Sequence, residues 1–73
     1  MFEEVAEVLA SQLGISKAKI TPDSEIIKDL GADSIDVAEM IMTLEEKSGK
    51  IIPDELVAKI KTVGDVVSTL QSL

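Results

Sequence analysis

The stretch "LGADSIDVAEMIM", residues Leu30–Met42, is where the chain commits to a helix. Gly31 stops whatever precedes it. Asp33 is a good N-cap residue, and Asp36 stands three positions later in a capping-box-like relation. Behind them Val37, Met40, Ile41 and Leu44 recur at helical spacing and form a core-facing stripe. The helix is expected to run to Lys47 or Ser48 and to stop at Gly49. A second apolar stripe, Ile35, Ala38 and Met42, is offset around the same helix and bordered by Asp36, Glu39, Glu45 and Glu46. A helix apolar on two sides is either central in its bundle or carries a binding surface. On periodicity alone both readings stand. Either Ile35 and Met42 pack against a loop and a short helix, or they form an acid-ringed strip for a greasy groove with a basic rim. The adaptability of Met favours the second.

Working outward, Phe2, Val5, Leu9 and Leu13 recur at helical spacing, with Glu3, Glu4 and Glu7 elsewhere, which predicts a surface helix ending at Gly14. The segment from Gly14 to Asp33 lacks a sustained period. Its apolar residues Ile15, Ile20, Ile26, Ile27 and Leu30 predict a loop packed onto the core, with room for one helical turn from Glu25 to Leu30. A short helix is expected from Asp54 to about Ile60, entered through Pro53, with Asp54 and Glu55 in its first turn. Thr62 is the candidate cap of a last helix whose stripe is Val63, Val66, Val67 and Leu70. No period-2 alternation rises above noise. The fold class is therefore all-α: a four-helix bundle of three main helices and one short one, with a long packed loop between the first two. One domain over residues 1–73 is the expectation for so short a chain.

Composition removes whole classes of chemistry. With no cysteine and no histidine there is no disulfide framework, thiolate or imidazole metal site, or Cys- or His-based catalysis. The seven cations are all lysines, so no arginine clamp exists. Fourteen acids give a net charge of −7, which disfavours nucleic acid and anionic membranes and attracts basic protein surfaces. One Phe and no Tyr or Trp leave an aliphatic core and no base-stacking platform. Neither a signal peptide nor a membrane span is legible, and a cytoplasmic setting is expected. Adjacent acids such as Glu45/Glu46 and Asp54/Glu55 diverge by about 100° on a helix, so they make poor acid–base pairs, and no metal site is expected.

That leaves Ser34. If Asp33 is the cap, Ser34 is the first helical residue, with its hydroxyl near the positive helix end. A phosphate ester there would face free N–H groups and the dipole. As a nucleophile in its own right it is poor, because no residue can serve as its usual base. The plain alternative is a serine at a helix start, a common occurrence.

"GADSID", an apolar–acidic helix, "LEE", "IPDE" and a final "TVGDVV" together resemble the acyl carrier protein family over nearly the whole chain. The resemblance implies that Ser34, after Asp33, carries 4′-phosphopantetheine through a phosphodiester. The cargo would ride as a thioester on that arm, whose thiol this cysteine-free chain lacks. It also implies that residues 34–48 form the recognition helix. Asp33, Ile35, Asp36, Ala38, Glu39, Met42, Glu45 and Glu46 match its partner-facing positions, with Ile52 and Asp54 added. The implied partners are a phosphopantetheinyl transferase and fatty-acid synthesis enzymes with basic docking patches, met by a monomeric carrier without catalytic activity. An acyl cavity would be lined by Ile26, Leu30, Val37, Met40, Leu44, Ile52 and Ile60.

The chain departs from the family's commonest pattern in places. Ile35 stands where Leu is usual. Ser48, Gly49 and Lys50 occupy a stretch that more often holds an aromatic and acids, and Leu56 and Ala58 replace acids. Other readings are a carrier of polyketide, amino acid or specialised lipid, and an unmodified acidic adaptor.

Overall fold

In the computed structural model, which describes residues 1–73, four α-helices follow one another: α1 (Phe2–Leu13), α2 (Ser34–Ser48), α3 (Asp54–Val57) and α4 (Val63–Ser72). α1 packs against both α2 and α4. Its inner face supplies Val5, Ala6, Val8 and Leu9, all buried. Gly14 ends it in the left-handed region at φ 69°, donating its N–H to the Ala10 carbonyl. The core is aliphatic: Ile20, Ile26, Met40, Leu44, Val63, Val66 and Leu70 join the α1 residues in one buried cluster.

The connection after α1 carries an element that the sequence pattern does not reveal. Residues Lys17–Lys19 form a 3₁₀ turn, capped by Ser16, whose hydroxyl accepts from the Ala18 N–H. Lys17 reaches back to Glu3 and Glu7 of α1 and ties the turn to that helix. The hydrogen bond with Glu3 raises the Lys17 pKa, and the same bond lowers that of Glu3. Residues 25–30 wind into a single turn in which the Asp29 and Leu30 N–H groups both donate to the Glu25 carbonyl, without extending into a regular helix. Ile15 and Leu30 are half-buried and Ile20 and Ile26 buried, as expected of a packed loop, but Ile27 is 58% exposed. Successive residues on such a turn point about 100° apart, so Ile26 and Ile27 do not both face inward.

The loop is stitched to the start of α4. Ile26 N–H donates to the Lys61 carbonyl at 3.0 Å, Val63 N–H to Ser24 at 3.0 Å and Gly64 N–H to Pro22 at 2.8 Å. An isolated antiparallel bridge pairs Glu25 with Thr62. A Cβ on Gly64 would lie 3.0 Å from the Pro22 oxygen, so any larger residue would crowd this approach. α4 opens on a capping box formed by Thr62 and Asp65.

α3 is shorter than its sequence predicts. It ends at Val57 rather than near Ile60, and residues beyond it close in tighter i→i+3 bonds, Lys59 N–H to Leu56 and Ile60 N–H to Val57. The tighter winding turns Ile60 back toward the stitched loop and ends the helix after one turn.

Candidate functional site

α2 begins as its sequence dictates. Asp33 Oδ1 accepts the Asp36 N–H at 2.9 Å, and Asp36 Oδ2 accepts the Asp33 N–H at 3.1 Å. The reciprocal pair fixes the first turn, and Gln12 of α1 anchors it further by donating to the Asp36 carbonyl at 2.6 Å. Ser34 is the first residue inside the helix and is exposed. One oxygen of each flanking carboxylate is committed to capping, and the chain has no histidine. Any base that activates this hydroxyl must come from elsewhere.

Ser34 sits on the rim of an open groove of about 470 Å³, within the range of small-molecule sites. Ile26, Val37 and Ile60 line it, as the sequence reading expects of a cavity. Leu30, Met40, Leu44 and Ile52 do not. Met40, Leu44 and Ile52 are buried in the core, and Leu30 faces a separate depression beside Ile15. The groove instead uses Ile27, Ala38 and Val57 for apolar wall, and Glu25, Lys28 and Lys61 for its polar edge. Lys61 and Glu25 pair at 3.7 Å beside it. The Glu25–Thr62 pairing that builds this wall is long-range and leaves no periodic signal, which is why sequence patterning misses these residues.

The outer face of α2 resolves the two-stripe question. Met40, Ile41 and Leu44 are buried and Val37 half-buried, whereas Ile35 is 67% and Met42 63% exposed. Ile35, Ala38 and Met42 therefore form an open strip and are not packed on the loop. The four salt bridges are Met1–Glu4, Lys17–Glu3, Lys17–Glu7 and Lys61–Glu25, so no acid of α2 is neutralised by a cation. Glu39 and Glu46 are exposed beside the strip, and Asp54 is exposed at the start of α3. Glu45 is half-buried and accepts the Ile52 N–H at 2.8 Å, which gives it a structural task as well as a charge.

Ile52 corrects the sequence reading. It is only 4% exposed and cannot offer a contact surface, while its neighbour Ile51 is 78% exposed. The Glu45 carboxylate grips the Ile52 N–H and orients this segment so that the second isoleucine, not the first, enters the core. No group of three or more carboxylates is placed to hold a metal ion. No helix is long and apolar enough to cross a membrane.

A family model described as a phosphopantetheine attachment site matches residues 3–70. An acyl carrier protein of Helicobacter pylori strain G27 is 54% identical over 71 residues, spanning 97% of this chain and 91% of the relative. The chain belongs to the acyl carrier protein family. The acyl carrier protein of H. pylori strain 26695 is 52% identical over the same shares. Among solved structures, the acyl carrier protein of Enterococcus faecalis superposes with a TM-score of 0.82 at 37% identity, over 97% of this carrier and 90% of that chain. A Mycobacterium tuberculosis structure, provisionally named an acyl carrier protein, superposes with a TM-score of 0.89 at 29% identity, over 99% and 97% of the two chains. This chain is thus a carrier rather than a catalyst, and its prosthetic group is covalently attached 4′-phosphopantetheine. An exposed hydroxyl at a groove with an apolar interior fits such a group, since a polar linkage at that hydroxyl would stay in water.

Proposed function

We propose that Ser34 is the attachment point, and that the carrier, a single domain over residues 1–73, presents acyl chains to the enzymes of fatty-acid synthesis. The observation that carries this reading is the placement of Ser34. It is an exposed hydroxyl at the first position of α2 and on the rim of the groove lined by Ile26, Val37 and Ile60. Bound there through a phosphodiester, the prosthetic group supplies the terminal thiol that this cysteine-free chain lacks. The helix start offers unpaired N–H groups and the positive end of the dipole to the phosphate. Ile26, Ile27, Val37, Val57 and Ile60 offer apolar shelter to a short cargo, shielding it from water.

Partners dock on the strip Ile35, Ala38 and Met42. Asp33, Asp36, Glu39, Glu45, Glu46 and Asp54 form an acidic frame that steers basic surfaces toward it. The partners of this reading are a phosphopantetheinyl transferase and synthase enzymes with basic patches, meeting a monomeric carrier in the cytoplasm. Tethering raises the effective concentration of the cargo at each enzyme. The relatives' name as acyl carriers favours an acyl cargo over an amino acid.

The test is the intact mass after incubation with a broad-specificity transferase, coenzyme A and magnesium. A gain of one phosphopantetheine, absent in Ser34→Ala, is expected. A gain that persists in Ser34→Ala, or no gain on the folded wild type while a known carrier is modified alongside it, would overturn the assignment.

A further inference from the structure

The most exposed large apolar side chain of the molecule lies beyond α2, at Ile51. Gly49 ends α2 in the left-handed region at φ 72° and reverses the chain, which brings Lys50 and Ile51 alongside Met42 and Glu46. Together with Glu45 they surround an open depression of about 310 Å³. Its two apolar walls, Met42 and Ile51, are 63% and 78% exposed.

The charge of this depression is decided by where its one lysine points. Lys50 lines the depression as well, but its ammonium donates to the Leu70 carbonyl at 3.1 Å, at the end of α4. Lys47 lines a different hollow, beside Met1 and Leu70. The carboxylates of Glu45 and Glu46 therefore set the local field, with no cation paired to either. An apolar notch with an acidic rim suits an aliphatic side chain flanked by cations.

We infer that Met42 and Ile51 form a docking notch, continuing the α2 strip past the end of the helix, for a partner protein that inserts an aliphatic side chain flanked by arginine or lysine. The inference rests on the proposed docking role of α2 and adds to it a contact at Ile51. Ile51→Glu removes the apolar wall and leaves the core untouched, since the side chain is exposed.

The test uses a synthetic helical peptide with one leucine between two arginines on one face, titrated into the full chain and followed by amide chemical shifts. Shifts at Met42, Glu46 and Ile51 are expected, with binding weakened at least fivefold by Ile51→Glu and by replacing the peptide's leucine with serine. Ala18→Glu, on the exposed 3₁₀ turn, adds the same charge elsewhere and is expected to leave binding unweakened. Equal weakening by Ala18→Glu, unchanged binding in Ile51→Glu, shifts confined to other residues, or no binding at millimolar peptide would each overturn the notch. So would a concentration-dependent dimer, seen by sedimentation and lost in Ile51→Glu, because the occupant would then be a second copy. Loading of Ser34 in the wild-type chain is read by mass in parallel, as the separate test of the carrier assignment. A failed notch with normal loading leaves the carrier assignment standing, whereas absent loading in the wild type condemns that assignment separately.

Discussion

α2 and α4 begin with the same device and put it to different uses. Each opens on a capping box, Asp33 with Asp36 and Thr62 with Asp65. At the first helical position α2 has Ser34, exposed, and α4 has Val63, with none of its surface accessible. The loop 22–26 lies across the start of α4 and closes it, while nothing covers the start of α2. Two helix ends with similar dipoles and caps thus become a sealed joint and an open hydroxyl. The helix terminus supplies the field, and the neighbouring loop decides whether anything can use it.

Exchanging the two first-position residues breaks the comparison most strongly. Ser34→Val is expected to abolish loading by the transferase while changing stability by no more than about 0.5 kcal/mol, checked by mass and by urea denaturation. Val63→Ser is expected to do the reverse. Loss of a buried side chain and introduction of a hydroxyl cost about 2 kcal/mol or more, lowering the melting temperature by roughly 10 °C, with loading intact at 25 °C.

The caps themselves come next. Asp65 accepts the N–H groups of both Lys61 and Thr62 at 2.9 Å, whereas Asp36 accepts only that of Asp33. Asp65→Ala is expected to cost about 1–2 kcal/mol and Asp36→Ala about 1 kcal/mol or less, measured by chemical denaturation. Equal losses would mean that the second bond at α4 adds nothing.

The smallest effect is one of pH. The N–H groups of Thr62 and then Lys61 hold the Asp65 carboxyl below the ordinary aspartate value of 3.8. The unfolded chain therefore takes up this proton more readily than the folded one. The stabilisation is complete above the ordinary value and drains away as pH falls through the lowered folded one. Between about pH 4 and pH 3, urea midpoints are expected to fall less steeply in Asp65→Asn than in the wild type.

Most of this contrast is legible in the sequence, and what is missing has a common cause. Asp33, Gly14, Gly49 and Thr62 mark helix ends through local chemistry, so the main helices fall where their caps place them. The two stripes of α2 are legible because periodicity is local too. Which stripe faces solvent depends on how the other helices pack, and Ile51 and Ile52 are the same residue type side by side. Their opposite fates rest on the Glu45 carboxylate, seven positions before Ile52. Likewise the groove wall at Glu25, Ile27 and Lys61 arises from pairing between distant segments, and the 3₁₀ turn at Lys17–Lys19 is too short to show a period.

The stitch between residues 22–26 and the start of α4 also bears on how the chain reaches its native state. Its three bonds join opposite halves of the sequence, so none can form until a long loop has closed. Helix formation by itself rewards only neighbours. Here the segment that seals α4 and supports the groove is rewarded only after residues 22–26 have met residues 61–64. Folding is therefore expected to be slower than for a helical hairpin of similar size, with the groove among the last features to acquire protection from hydrogen exchange.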